Sequence, residues 1–126
     1  LGADAVVAAD TDSLAVRATT DNRDLNGYTA ARLSVSLGSV ESLQEQLDDR
    51  RADLLLCNIL APVIEALAPG FEGLLRSNGR ALLSGLLVDQ APRLKEVLGS
   101  LGWTVTSEGA QGPWGLLEIR RKRPSP

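Results

Sequence analysis

An α/β fold built on a parallel sheet is predicted by two features of this 126-residue chain. The apolar runs Ala5-Val6-Val7-Ala8-Ala9 and Leu54-Leu55-Leu56-Cys57 are continuous rather than alternating, the pattern of strands buried on both faces. Segments with apolar residues at helical spacing lie between such runs, so strand-like and helix-like stretches alternate along the chain. That order calls for right-handed crossovers, and open sheets of this kind bind ligands at the carboxyl ends of their strands.

The first strand ends in Asp10-Thr11-Asp12. Asp12 or Ser13 can cap a helix carrying Leu14, Ala15, Ala18 and Leu25, with Asn26-Gly27 as its stop. The alternating stretch from Arg32 to Leu37 predicts a second strand, closed by Gly38-Ser39, and a short polar helix follows from Val40 to Asp49. The third strand, Asp53 to Asn58, leads to a helix with Pro62 in its first turn, where a missing N–H costs nothing. Its apolar face would be Ile64, Leu67, Phe71, Leu74 and Leu75, and Pro69-Gly70 should kink or interrupt it. Ser77-Asn78-Gly79 predicts a turn into the strand Arg80 to Ser84. A helix from Val88 to Leu101 presents Leu94, Val97, Leu98 and Leu101, stopped by Gly102. Trp103 to Ser107 and Trp114 to Ile119 predict a terminal hairpin-like pair across the Gly-rich connection Glu108 to Pro113.

Composition bounds the chemistry. With 44% apolar and 23% charged residues this is the make-up of one globular domain, and 3% aromatics leave a core of Leu, Val and Ala. The net charge of -3 supplies no global field for nucleic acid, so no direct nucleic-acid binding is expected. No apolar run approaches the roughly 18 residues of a membrane span, so no membrane partner is expected. The absence of His removes catalytic triads and most metal sites, and the single Cys57 can form no disulfide framework. Cys57 is read as an inert core thiol, no metal site is expected, and a reducing cytoplasm is the expected compartment. The chain also lacks Met and opens on Leu1-Gly2-Ala3 directly before a strand, which predicts a piece of a longer polypeptide.

Four strand ends are candidate sites: Asp10 to Asp12, Gly38-Ser39, Asn58 to Ala61, and Ser84-Gly85. A carboxylate at a strand tip has two acceptor oxygens for the two hydroxyls of a ribose, which suits Asp10; a turn or cap carboxylate is the alternative, and Asp12 fits the cap better. Gly38-Ser39 either lets a flat ring approach the backbone or simply turns the chain. Asn58, after a run of leucines, either holds an amine or amide through its carboxamide or caps the following helix. Trp103 and Trp114 are core or rim residues. The run Arg120-Arg121-Lys122-Arg123 predicts a solvated tail that keeps an edge strand from pairing, with a contact for RNA or an acidic partner as the secondary reading.

Taken together these stretches resemble the catalytic domain of the methyltransferases that modify large-subunit ribosomal protein eleven, the PrmA type. The likeness runs from Leu1-Gly2-Ala3 through Val6 to Asp12, Leu14-Ala15-Val16 and Asn22 to Gly27. It continues through Asp53 to Ala61, Leu67-Ala68-Pro69, Gly79 to Leu87, and Trp114 after Gly112-Pro113. The Asn-Ile-Leu-Ala and Leu-Ser-Gly-Leu-Leu stretches are fairly specific, whereas the Asp-x-Asp step is generic.

The resemblance implies a Rossmann-like class I methyltransferase fold using S-adenosylmethionine to methylate lysine side chains and the N-terminal amine of a ribosomal protein. It implies that Asp10 binds the ribose hydroxyls with Asp12 on the same cofactor side, and that Gly38-Ser39 lies by the adenine. Asn58 would border the methyl and the amine as both catalytic and cofactor-side residue, with Ile59, Leu60 and Trp114 on the substrate side. Residues 1–121 would be a partial catalytic domain and 122–126 a basic, Pro-containing tail. The first strand and Gly-rich loop of such domains are not among these residues, so the chain alone is expected to be inactive or weakly cofactor-binding. Two strand edges are then left unpaired, which would allow a dimer. The competing readings are a non-catalytic interaction module and a methyltransferase of this fold with another substrate.

Overall fold

The computed structural model describes residues 3, 5–48 and 50–122, and the chain divides into two compact units between Arg50 and Arg51. Leu1-Gly2, the Asp49 end of the second helix, Arg123 and the Pro124-Ser125-Pro126 tail lie outside the described residues.

The first unit contains β1 (Val6–Asp10), α1 (Ser13–Leu25), β2 (Leu33–Leu37) and α2 (Val40–Leu47). The strands pair in parallel from Val6 opposite Leu33 to Asp10 opposite Leu37, which requires the intervening helix as a crossover. Asp12 starts α1, its Oδ1 accepting the Leu14 N–H at 2.9 Å, and Asn26 ends it with its own N–H on the Asn22 carbonyl. Helix α2 reaches the sheet through Gln46, whose Nε2 donates to the Ala8 carbonyl at 3.1 Å and to Ser36 Oγ at 2.7 Å. Ser34 Oγ donates to Gln46 Oε1. The expectation that β1 is buried on both faces is corrected, since Val6 is 45% exposed. Two strands, with β1 paired along one edge only among the described residues, are too narrow a sheet to be covered fully.

The second unit contains β3 (Ala52–Asn58), α3 (Ala61–Leu67), β4 (Leu75–Leu87), α4 (Ala91–Ser100), β5 (Trp103–Gln111) and β6 (Trp114–Arg121). Its sheet order is β3-β4-β6-β5, with β3 and β4 parallel and the rest antiparallel. Ile64, Phe71, Leu83, Leu94, Leu98 and Ile119 meet in one core cluster. The interruption expected at Pro69-Gly70 is real: α3 stops at Leu67 and a 3-10 turn spans Ala68–Gly73.

Several expectations need correction here. Ser77-Asn78-Gly79 does not precede a strand but lies inside β4; Ala52 faces Leu75 and Leu54 faces Arg80, so the turn-forming residues are absorbed as a bulge. A 2.9 Å Arg76–Asp53 ion pair spans that bulge. Strand β3 is buried on one face only: Leu55 and Cys57 pack on the core while Leu56 is 69% exposed. The long C-terminal helix breaks into a 3-10 turn, Val88–Gln90, and α4, leaving Leu101 beyond its end and exposed. The first half of the basic run is not tail, because Arg120 and Arg121 belong to β6, an interior strand. Arg121 stacks over the Trp103 ring at 5.9 Å and donates to the Leu75 carbonyl at 2.8 Å. No described helix is long and apolar enough to cross a membrane.

Candidate active site

In the first unit the tips of β1 and β2 are joined by a backbone hydrogen bond from Gly38 N–H to the Asp10 carbonyl at 2.8 Å. Asp10 is exposed; its Oδ1 accepts the Asp12 N–H at 2.8 Å, and its Oδ2 makes no hydrogen bond among the described residues. Asp12 is committed to its helix as the cap, so the two carboxylates have separate tasks. Gly38 has φ +144°, and a Cβ there would overlap the Ser42 hydroxyl and stand 2.9 Å from the Ser42 Cβ. Only glycine lets α2 start this close to the strand tip. Ser39 sits at the N-cap of α2 without a side-chain cap bond, so its hydroxyl is not consumed by the helix.

In the second unit an open cleft of about 830 Å³ is lined by Asn58, Ile59, Leu60, Ser84-Gly85, Gly109 to Gln111, and Trp114 to Leu116. Parallel pairing sets Asn58 opposite Ser84, and the Ile59 N–H donates to the Ser84 carbonyl at 3.1 Å. The cap position of α3 falls on Leu60, with no side-chain cap bond, so Asn58 does not serve as the helix cap that was its alternative. The hairpin β5–β6 closes on the two-residue loop Gly112-Pro113, and the Pro113 carbonyl accepts the Val88 N–H at 2.8 Å, tying the hairpin tip to the end of β4. The two tryptophans separate cleanly: Trp103 is buried in the core, whereas Trp114 is 50% exposed on the cleft.

No residue lining this cleft is ionisable in the ordinary pH range. The neighbouring Cys57 faces the core, where desolvation by burial pushes its thiol up to about 11, so it stays protonated and is a poor nucleophile. The structure thus brings Asn58, Ile59, Leu60 and Trp114 together in one unit, and Asp10 with Gly38 in the other. Ser84-Gly85 was recognisable as a strand tip but not as part of a cleft wall. Gly109, Ala110 and Gln111 were missed, because a Gly-containing stretch between two strands reads as a connection. The signal for them was their placement just before Gly112-Pro113, a two-residue hairpin loop that draws the flanking residues into strands.

Parallel crossovers followed by an antiparallel pair, with polar and small residues at the strand tips, define a Rossmann-like methyltransferase fold. A crystal structure of ribosomal protein L11 methylase from Lactobacillus delbrueckii subsp. bulgaricus matches with a TM-score of 0.84 at 28% identity, over 97% of this chain and 60% of that one. The Methanococcus jannaschii fibrillarin pre-rRNA processing protein, 13% identical with a TM-score of 0.71 over 94% of this chain and 57% of that one, shares the fold alone. The chain belongs to the family described as Ribosomal protein L11 methyltransferase (PrmA), whose model matches residues 1–122. A relative of that name from Parasynechococcus marenigrum is 76% identical over 97% of this chain and 42% of its own length. One from Prochlorococcus marinus is 59% identical over 96% of this chain and 40% of its own. The chain therefore spans about two fifths of the length of these relatives.

Proposed function

We propose that this chain is the methyl-transferring part of an S-adenosylmethionine-dependent enzyme that methylates lysine side chains and the N-terminal amine of ribosomal protein L11 in the cytoplasm. The observation that carries the reading is the convergence of Asn58, Ile59, Leu60 and Trp114 on one cleft within a chain matched over residues 1–122 by the family.

The cofactor, when bound, supplies an electrophilic methyl group on a sulfonium. Asp10 fits its ribose, because an exposed strand-tip carboxylate keeps Oδ2 open for a hydroxyl donor. Gly38 and Ser39 are proposed to lie along the adenine, with Asp12 fixing the strand-to-helix turn beside it. The Asn58 carboxamide oxygen accepts an N–H of the incoming amine and so aims its lone pair. Ile59 and Leu60 keep water away from the reacting nitrogen, and the exposed face of Trp114 covers the aliphatic stem of a lysine. An amine of ordinary pKa near 10.4 must lose a proton before it attacks, and no described residue lining the cleft is ionisable in the ordinary pH range. Alignment and desolvation are then the chain's contribution to the rate.

The test joins this chain to the upstream sequence of its Parasynechococcus marenigrum relative and compares Asn58→Ala with the unaltered protein. Turnover on the ribosomal protein should fall roughly tenfold or more while cofactor affinity, measured by calorimetry, changes little. Equal loss of both would remove Asn58 from the amine side. The 126 residues alone should bind S-adenosylmethionine weakly, and submicromolar affinity would overturn that part of the reading.

A second reading is favoured by β1 and β3, each paired along one edge only among the described residues. Open edges invite pairing with another chain, so an obligate dimer by light scattering, with no cofactor binding, would favour an interaction module.

A further inference from the structure

The Ser84-Gly85 step is a β-bulge. Leu83 pairs with Leu117 and Leu86 with Gly115, so two residues of β4 face the single Leu116 of β6. A bulge bends its strand and frees its extra residue from the ladder, which is how bulges re-aim groups beside a site. Here the bend takes Gly85 to φ +85° and sets it beside the end of β3. A Cβ at Gly85 would stand 2.7 Å from the Ile59 carbonyl oxygen, 2.8 Å from Ile59 N and 2.8 Å from Asn58 Oδ1. Two of those three atoms are backbone and cannot swing aside. They are held in place by the 3.1 Å hydrogen bond from Ile59 N–H to the Ser84 carbonyl. The same two-residue step therefore meets the Asn58–Ile59 turn twice: Ser84 accepts a hydrogen bond from it, and Gly85 leaves it the space a Cβ would fill.

We propose that Gly85 is a positioning residue: because it carries no Cβ, the Asn58–Ile59 turn can lie against β4 with the Asn58 carboxamide set in its direction toward the cleft. This rests on the reading of Asn58 as the group that orients the amine. Gly85 lines the cleft with backbone alone, and its role is exerted through Asn58. An alanine there carries two penalties, an unfavourable φ and a Cβ where the Asn58 oxygen and the Ile59 peptide already lie. The turn must then move away from Ser84, and the carboxamide moves with it.

The first measurement needs no activity. In the isotope-labelled chain, Gly85→Ala should shift the side-chain amide resonances of Asn58 and the backbone amide of Ile59 while the Trp103 indole, in the core, stays put. Unmoved Asn58 resonances in a folded variant overturn the proposal. In the unaltered chain the Ile59 backbone amide, held between Ser84 and Gly85, should be rigid, with an order parameter of about 0.85; a value below about 0.6 overturns the proposal even if the variant does not fold.

The second measurement is a double-mutant cycle on turnover in the extended protein described above. Gly85→Ala should lower kcat roughly tenfold with cofactor affinity unchanged, and the Asn58→Ala/Gly85→Ala double variant should be no worse than Asn58→Ala alone. Additive losses overturn the proposal. Full turnover in Asn58→Ala removes the reading of Asn58 and the positioning role with it. A Gly85→Ala variant with full turnover removes only Gly85, so the two failures are told apart.

Discussion

Helix α2 meets its sheet in the unit Leu1–Arg50 through an amide: Gln46 donates to Ala8 and Ser36 and accepts from Ser34. Helices α3 and α4 meet theirs in the unit from Arg51 onward through Ile64, Leu94 and Leu98, all fully buried. In the first unit Val40 is the one buried hydrophobic residue among those described, whereas the second owns the whole core cluster. The two kinds of contact differ in what they tolerate. Apolar burial is non-directional and adds about 25 cal/mol per Å², so it survives small shifts of a helix over a sheet. A hydrogen bond contributes only about 0.5–1.5 kcal/mol net and is lost when geometry slips. The first unit should therefore be the more easily opened, and with it the strand tips that carry Asp10 and Gly38.

The largest effect expected from this contrast is in the second unit. Phe71 is fully buried in its core, and Phe71→Ala should cost about 3–5 kcal/mol, read as a lower urea midpoint. A loss under about 1 kcal/mol would mean that this core collapses around the gap and is less tightly packed than its burial indicates.

Next in size is Gln46→Ala, which removes three hydrogen bonds and leaves Ser34 and Ser36 half-buried without their partner. A destabilisation of roughly 1–3 kcal/mol is expected. Hydrogen exchange should localise it, with faster exchange in β1 and β2 and no change in β4 and β6. Equal acceleration in both sheets would dissolve the distinction between the units.

How far this contrast could be read in the sequence follows from the range of the forces involved. Short-range chemistry was legible: Asp12 as a cap, Pro62 in a first turn and the break at Pro69-Gly70 are set by residues within one turn of each other. The Gln46 network was not, because it depends on a glutamine 38 residues from Ala8 arriving over the right strand. Ser77-Asn78-Gly79 carries turn residues, yet β3 pairs with Leu75 before them and with Arg80 after them, so pairing on either side overrode local preference. The cleft divides in the same way. Asn58, Ile59 and Leu60 stand out as an odd ending to a leucine-rich strand, and Trp114 as an aromatic beside Gly112-Pro113. The opposing wall, Gly109 to Gln111, has no chemistry of its own and acquires a role only through its pairing with β6. Likewise Gly85 is an ordinary turn glycine until the bulge opposite Leu116 sets it against Asn58.

The smallest effect is confined to alkaline solution and asks whether the apolar character of the second unit extends to the edge of the cleft. Cys57 is adjacent to Asn58, and burial pushes its thiol from 9.0 up to about 11. An unfolded chain releases this proton as the pH passes 9.0, whereas the folded chain holds it to about 11. Between those values the folded state binds the more protons, so the thiol's contribution to stability is complete below pH 9.0, falls as pH rises and levels off above about 11. Subtracting the pH profile of Cys57→Val isolates this from the other groups that titrate there. The native thiol should also resist alkylation at pH 8 and react freely once urea unfolds the chain. Rapid native alkylation would show that the end of β3 opens to water, and a strand end that opens cannot hold the Asn58 carboxamide against Gly85.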